Sequence, residues 1–390
     1  MKIAEWNKNL MNLDCFRKFF MRSRNLATVG ISNLISNGIS GFFWIYLASL
    51  LGTDGYGELG FLLAIMGTTG SLASFGTINT LIVYVAKGEK IQATIFVIVL
   101  ISSTVVGIAS YFIFQNLAVA IFPLGYVIFS SVLFDLLGKK SFANYAKYMI
   151  IQRIILVPLA LLLYQQNGVN GIALGYSLSF FPFIFLMYRG FKESKIDFSI
   201  LKVKTVFITN NYITHVLKIL NTNIDKLIIF PLFGTTILGP YQLGFQLFTV
   251  AMLLPTIIIT YTLPYDAVGT KNEKLKKYAV IISAIITVIT ISLSPIVIPL
   301  VFPQFLDTVQ VMQIMSLAFI PASLSILYSS ELLGNECTKS VLIGTTISIS
   351  ILSGGIFLLG KDYGLIGITA SFVIAKTIEF LFLYIKKSNK

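Results

Sequence analysis

A line of polar residues follows one face of a predicted helix near the middle of the chain. At helical spacing, its members are Asn211, His215, Lys218, Thr222 and Asp225. Aliphatic residues fill most of the remaining helix surface. Charged side chains at membrane depth are costly and normally face a bundle interior or a wet cavity, where they mark a transport pathway. We therefore interpret this helix as one wall of a solute path.

An alternative is that the basic members of this line lie near the membrane surface. His215 and Lys218 would then snorkel into water, and only Asp225 would lie deep in the bilayer. At about 1.5 Å rise per residue, Asp225 is roughly 12 Å from the outer end of its helix. There its carboxylate is either an ion-coupling site for a proton or Na⁺, or one half of a permanent pair with Lys218 or Lys226 that holds two lobes in register.

The composition excludes a water-soluble globule. The 390 residues are 56% hydrophobic and 12% charged, and the mean hydropathy is +0.86, which predicts a polytopic membrane protein. The net charge of +13 comes mostly from short loops between apolar runs, so it indicates membrane orientation and predicts no nucleic-acid partner. Cys15 and Cys337 both fall in segments predicted to be cytoplasmic, so no disulfide is expected.

Twelve apolar runs are long enough to cross the hydrocarbon core, which takes about 20 helical residues. These spans are Thr28–Leu51, Gly57–Val85, Gln92–Phe114, Ala118–Leu137, Asn144–Tyr164, Gly168–Tyr188, Asn211–Phe233, Tyr241–Leu263, Tyr278–Phe302, Val309–Leu332, Val341–Leu359 and Gly364–Tyr384. One set of loops holds nearly all of the loop Lys and Arg residues, and the opposite set holds only Lys361. Both termini are therefore predicted to be cytoplasmic, in a multi-pass protein of the cell (inner or plasma) membrane.

The chain repeats itself. Leu51-Gly52-Thr53 is answered by Phe233-Gly234-Thr235, 182 residues later. After a two-residue gap, the stretch from Gly55 to Phe61 is answered by Gly239 to Phe245, and Gly168 is answered more weakly by Gly364. Each half holds an even number of helices, so the pseudo-twofold axis lies along the membrane normal.

The predicted fold class is an all-α polytopic membrane protein with two six-helix lobes. The segments are a basic N-terminus (1–25), which is either an interfacial helix or an unstructured tail, an N-terminal lobe (26–190), a cytoplasmic linker (191–208), a C-terminal lobe (209–385) and a tail (386–390). Two lobes that line a central seam make alternating access the expected mechanism.

The sequence lacks the motifs of nucleotide-binding and metal-binding sites. There is no GxxxxGK[ST] run, and the chain has one histidine and no HExxH or CxxC, so neither a nucleotide site nor a metal or other cofactor is expected. No loop is long enough for a catalytic domain of ordinary size, so the protein is not expected to be an enzyme. The energy source is then an ion gradient, the membrane potential or the substrate's own gradient.

The order of several motifs carries a family resemblance. LLGTDGYGELGFLLAI, FGTINTLIVYVAKGE, LNTNIDKLIIFPLFGTTILGPYQLGFQL and LVFPQFLDTVQVMQIMSLAF resemble segments of the polysaccharide-biosynthesis flippases of the multidrug/oligosaccharidyl-lipid/polysaccharide exporter superfamily. The resemblance covers nearly the whole chain. It implies a V-shaped, MATE-like pair of six-helix bundles. The implied activity moves an undecaprenyl-pyrophosphate-linked oligosaccharide, such as an O-antigen unit for lipopolysaccharide biosynthesis, to the outer leaflet, with a polysaccharide polymerase and chain-length machinery as partners.

The resemblance also assigns substrate roles to cations and polar residues. The candidates for the pyrophosphate are Arg22, Arg24, Arg153 and Lys218. The candidates for lining the glycan cavity are Asn33, Ser36, Asn37, Ser40, Trp44, Asn211, His215, Asn221 and Thr222. Orientation by positive loops is the alternative for the first two arginines, and hydrogen bonding between helices is the alternative for the polar set. Asp135 is positioned to neutralise Arg153.

Two other functions remain open. Ion-coupled efflux of drugs or small cations on the same fold predicts a deep carboxylate in the N-terminal half, whereas Asp54 and Glu58 are placed at the outer rim and Asp135 near the inner one. A membrane polysaccharide polymerase predicts a substantial outward loop with charged catalytic residues, and the outward loops here are short.

Overall fold

The computed structural model describes residues 2–253, 255–256, 273–335 and 337–388, and side chains from residue 30 onward apart from 31, 34, 78, 200–204 and 273–276. All of its regular structure is helical. The helices are α1 (Lys2–Ala73), α2 (Thr77–Ala86), α3 (Gln92–Phe114), α4 (Leu117–Gly138), α5 (Phe142–Leu178), α6 (Ile184–Phe191), α7 (Ser199–Ala251), α8 (Glu273–Val301), α9 (Thr308–Met315), α10 (Phe319–Gly334) and α11 (Thr338–Ser388). Short 3₁₀ turns, Phe181–Phe183 and Ser316–Ala318, join α5 to α6 and α9 to α10.

Four long helices are broken by a glycine in the left-handed region of backbone space. Gly52, Gly168, Gly234 and Gly364 have φ between 55° and 76°, a conformation that glycine adopts without the steric cost of a side chain. Within the described residues, eight helical stretches are long and apolar enough to cross a membrane, and each glycine divides one of them. The result agrees with the twelve predicted spans, which we number in chain order.

The same glycines show that the internal repeat is structural. Gly52 and Gly234 share φ/ψ values of 67°/−174° and 76°/−172°. Gly168 and Gly364 share a different pair, 57°/−138° and 55°/−134°. Each half of the chain therefore builds its first and last hairpins with the same backbone geometry.

The two lobes meet at a symmetric crossing of the second and eighth spans. A Cβ added to Gly57 would lie 2.6 Å from the carbonyl oxygen of Thr235, and one added to Gly239 would collide with the carbonyl oxygen of Thr53. Both pairs are related by the offset of 182 residues, so the contact has pseudo-twofold symmetry. The two halves therefore stay aligned at an offset of 182 residues as far as Gly57 and Gly239. The two-residue gap predicted from the sequence motifs is not present there. Asp54 adds a bond at this crossing by accepting from the Thr235 hydroxyl at 2.7 Å.

Some boundaries differ from the predicted ones. The N-terminal segment is the first part of α1 and continues into the first span without a break. The second span is interrupted between α1 and α2, where Phe75 and Gly76 have positive φ. Within the predicted linker, α7 already begins at Ser199. The backbone N–H and the hydroxyl of Ser199 donate to Asp197, and these bonds hold the pKa of that carboxyl below its usual range.

The described basic residues are unevenly distributed between the ends of the bundle. We call the end that carries the four breaking glycines the glycine end and the opposite one the basic end. The basic end carries Lys87, Lys90, Lys139, Lys140, Arg189, Lys192, Lys195, Lys339, Lys386 and Lys387. Lys361 alone among the described Lys and Arg residues lies beside a breaking glycine.

This asymmetry leads to a topology prediction. A reporter fused after Lys390 is expected to be active only as a cytoplasmic fusion, and reporters inserted within Thr235–Gly239 are expected to report the outside. Paired alkaline phosphatase and fluorescent protein fusions measure both sites. Phosphatase activity after Lys390 would contradict the predicted orientation.

Candidate functional site

The second and seventh spans form one side of the seam between the lobes. Near the glycine end, the rings of Phe61 and Phe230 stack at 4.0 Å with their planes 7° apart. At the basic end, the Asn79 amide donates to Asn211 Oδ1 at 2.9 Å, and a Cβ on Gly76 would lie 2.8 Å from the backbone nitrogen of Tyr212. The second and seventh spans are thus in contact near both ends of this side of the seam.

A polar cavity of about 230 Å³ lies in the seam near the basic end. It is lined by Gly76, Asn79, Asn211, Thr214, His215 and Lys218. Both lobes contribute, since the first two residues come from the second span and the others from the seventh. The structure therefore brings together the first three members of the predicted polar line.

A second cavity, of about 660 Å³, lies within the C-terminal lobe. Its lining comes from the seventh, eighth, tenth, eleventh and twelfth spans, and it shares Thr214 and Lys218 with the seam cavity. Lys376 and Glu379 line it as an ion pair at 2.9 Å. The two shared residues mark the junction of the two cavities.

Polar groups at these cavities have unused hydrogen-bonding capacity. Lys218 is exposed and makes no ion pair among the described residues. Three residues that line these cavities have a buried polar atom without a described partner, namely His215 Nε2, Asn221 Oδ1 and Ser325 Oγ. An ammonium without an ion-pair partner among the described residues, on a cavity wall that also carries polar side chains, suits an anionic ligand that carries hydroxyl groups.

The predicted residues of the first span divide into two groups. Asn33 accepts a hydrogen bond from the Tyr145 hydroxyl at 3.3 Å, and Trp44 packs edge-on against Tyr176 at 5.7 Å. Both contacts stay within the N-terminal lobe, which agrees with the packing alternative for these two residues. Ser36 Oγ and Ser40 Oγ are buried without described partners, while Asn37 is exposed.

Of the predicted arginines, only Arg153 has a described side chain, and it lines neither of the two cavities. The side chains of Arg22 and Arg24 fall outside the described residues. Arg153 is half-buried on α5 and makes no ion pair among the described residues. Asp135, its suggested partner, instead pairs with Lys139 at 2.6 Å, and Lys139 also contacts Glu193.

The last two members of the polar line, Thr222 and Asp225, differ in their exposure. Thr222 is exposed and its hydroxyl donates to the Lys218 carbonyl at 3.1 Å. Asp225 is 1% exposed, and its carboxylate accepts from Lys226 Nζ at 3.0 Å and from the Tyr241 hydroxyl at 2.7 Å. Asp225 and Lys226 are neighbours on the seventh span, and the Tyr241 hydroxyl links their ion pair to the eighth span of the same lobe. The pair therefore does not hold the two lobes in register. Tyr241 was not among the predicted site residues. Its sequence position could have indicated it, because a hairpin that turns at Gly234 brings residues 225 and 241 together.

Comparison with known proteins gives the fold its name. Neither a protein-family model nor a curated protein matches the sequence. Among solved structures, the chain is similar to the lipid II flippase MurJ in an inward closed conformation, with a TM-score of 0.74 and 15% identity over 92% of this chain and 87% of that one. It is also similar to an inward-facing multidrug resistance MATE family transporter, with a TM-score of 0.67 and 14% identity over 94% and 98%.

A third similar structure is a transporter from Pyrococcus furiosus Vc1, with a TM-score of 0.58 and 14% identity over 93% of each chain. The two transporters are described as members of the MOP superfamily, the multidrug/oligosaccharidyl-lipid/polysaccharide exporters. The chain is therefore a multi-pass membrane protein with the fold of that superfamily, as the sequence motifs predicted.

Proposed function

We propose that the protein is a flippase that moves an undecaprenyl-pyrophosphate-linked oligosaccharide, such as an O-antigen repeat unit, from the inner to the outer leaflet by alternating access. The observation that carries the proposal is the ammonium of Lys218, which has no ion-pair partner among the described residues and lies at the junction of the two cavities. This junction lies toward the basic end, which we assign to the cytoplasmic side, where such a cargo is assembled.

The cargo's three parts match three environments. The polyprenyl tail stays in lipid, where it costs no free energy of transfer into water. The pyrophosphate pairs with Lys218, and the sugar hydroxyls meet the polar side chains of His215, Asn221 and Ser325, which line the cavities. The closed crossing at Gly57 and Gly239 blocks release at the glycine end in this state.

Cation efflux, the second candidate, needs an available carboxylate in a cavity. Glu379 is the acidic residue lining the larger cavity, and it is paired with Lys376. In the described N-terminal lobe, Asp135 is paired with Lys139, and Asp54 accepts hydrogen bonds at the glycine end. The excess of cationic over acidic groups at the cavities favours an anionic cargo.

A deletion strain tests the proposal. Loss of the protein is expected to cause accumulation of single lipid-linked repeat units in the inner leaflet, measured by mass spectrometry of extracted lipids and by lectin labelling of spheroplasts. Repeat units that reach the outer leaflet but stay unpolymerised would point to a polymerase instead.

Arg153 gives a separate prediction. Its half-buried guanidinium has no described ionic partner, and it would meet phosphate oxygens through two parallel hydrogen bonds. Arg153→Lys is expected to lower export because it loses this geometry, and Arg153→Ala more so, by about tenfold. Cell-surface glycan is measured at matched protein levels, and Arg189→Ala at the basic end serves as the control. Normal export by Arg153→Ala would reduce Arg153 to a topological charge.

A further inference from the structure

The buried ion pair of the C-terminal lobe forms a complete coordination shell around an ammonium group. Lys226, 4% exposed, directs Nζ to the two Asp225 oxygens at 3.0 and 3.2 Å and to the Thr222 carbonyl at 2.9 Å. The face of Phe245 lies 3.6 Å from the same nitrogen. Tyr241 holds the second carboxylate oxygen at 2.7 Å. We call these five residues the Asp225 cluster.

This shell is chemically a site for a monovalent cation. Carboxylate and backbone carbonyl oxygens are ligands for hard cations, and an aromatic face attracts cations through its quadrupole. Here the shell is filled by the ammonium group of Lys226, the residue that follows Asp225 in the chain. No described group of the cluster is left to bind a second cation.

The sister lobe shows that the fold does not need an ion pair at this place. At the offset of 182 residues, Asp225, Lys226 and Tyr241 correspond to Phe43, Trp44 and Leu59. Phe43 and Leu59 are 5% and 1% exposed and belong to an apolar core. Because apolar residues often replace a buried ion pair without loss of stability, packing alone does not account for charges in one lobe only.

We propose that Lys226 is a built-in counter-ion that occupies a monovalent-cation site formed by Asp225, the Thr222 carbonyl, Tyr241 and Phe245. The lobe carries its cation through the whole transport cycle, so neither Na⁺ nor K⁺ enters or leaves at this place. This inference concerns the energy source and does not depend on which cargo is moved. It favours the permanent pair over the ion-coupling role predicted for Asp225.

Removing the lysine side chain tests the inference. The melting temperature of purified protein is measured in NaCl, KCl and N-methylglucamine chloride at equal ionic strength. The wild type is expected to melt at the same temperature in all three. Lys226→Ala leaves the shell empty, so NaCl or KCl is expected to raise its melting temperature by about 3 °C or more over N-methylglucamine chloride. Asp225→Asn/Lys226→Ala, which lacks the carboxylate, is the matched control and is expected to show no such rise.

Two results would overturn the inference. One is a Lys226→Ala protein whose melting temperature does not respond to either alkali cation. The other is a rise in the melting temperature of the wild type in NaCl or KCl that the Asp225→Asn variant does not show. The second comparison does not require Lys226→Ala to fold.

Discussion

Gly239→Ala is expected to reduce export by about 10- to 100-fold while the protein stays folded and inserted. The new Cβ would collide with the Thr53 carbonyl oxygen, and it would also lie 2.8 Å from the Thr53 carbonyl carbon. Both are backbone atoms that cannot rotate away. Overpacking of this kind costs about 1–3 kcal/mol of stability. Here it destabilises the state in which the crossing of the lobes is closed. The glycine end would then stay partly open.

The control for this substitution is Gly354→Ala. Gly354 also lies within a helix, but an added Cβ there meets nothing within 4 Å. Alanine is about 1 kcal/mol better than glycine in a helix interior, so neither variant should lose helix stability. Export is measured as surface glycan, and closure as the labelling of a cysteine placed at Thr53 in a protein without its natural cysteines. Wild-type export and labelling in Gly239→Ala would show that the crossing does not need to close.

Lys218→Ala has the second large effect. Hydrogen bonds to charged groups contribute about 1.5–3 kcal/mol, so the loss of the ammonium is expected to lower export by about 10- to 100-fold. Lys218→Arg keeps the charge and is expected to retain most of the activity. Because Lys218 is exposed and unpaired among the described residues, its removal breaks no described ion pair.

Lys361→Ala is the matched control, since it removes an exposed lysine at the glycine end that lines neither cavity. Export and protein level are measured together in the deletion strain. Equal export by Lys218→Ala and Lys361→Ala would remove Lys218 from the pathway and leave Arg153 as the remaining candidate for the pyrophosphate whose side chain is described.

Hydropathy and the glycine motifs predicted most of the fold. The third span was placed at Gln92–Phe114, the bounds of α3, because it is flanked by polar residues and contains no charged residue. The repeat of Gly52 at Gly234 predicted two equivalent hairpins, since a positive φ needs glycine in both places. The break at Phe75 was missed because a residue with positive φ other than glycine leaves no clear sequence signal.

The candidate site was only partly predictable. Helical periodicity placed His215 and Asp225 on one face, but it does not specify which neighbouring helix covers each turn of that face. The structure puts His215 at the seam cavity and buries Asp225 under Tyr241. Trp44 was predicted at the glycan cavity, whereas it packs against Tyr176, a contact set by the docking of the sixth span. Such details depend on packing between helices that are distant in sequence.

A flipping assay with purified protein in liposomes tests the central claim most directly. A lipid-linked oligosaccharide is placed in both leaflets, and an impermeant glycan oxidase modifies what is accessible outside. The wild type is expected to make nearly all of the glycan accessible, against about half in protein-free liposomes, and Lys218→Ala is expected to be much slower. The contradicting result has two parts. About half of the glycan stays protected in liposomes with wild-type protein, and the same liposomes transport a small organic cation. Together these observations would contradict the flippase assignment.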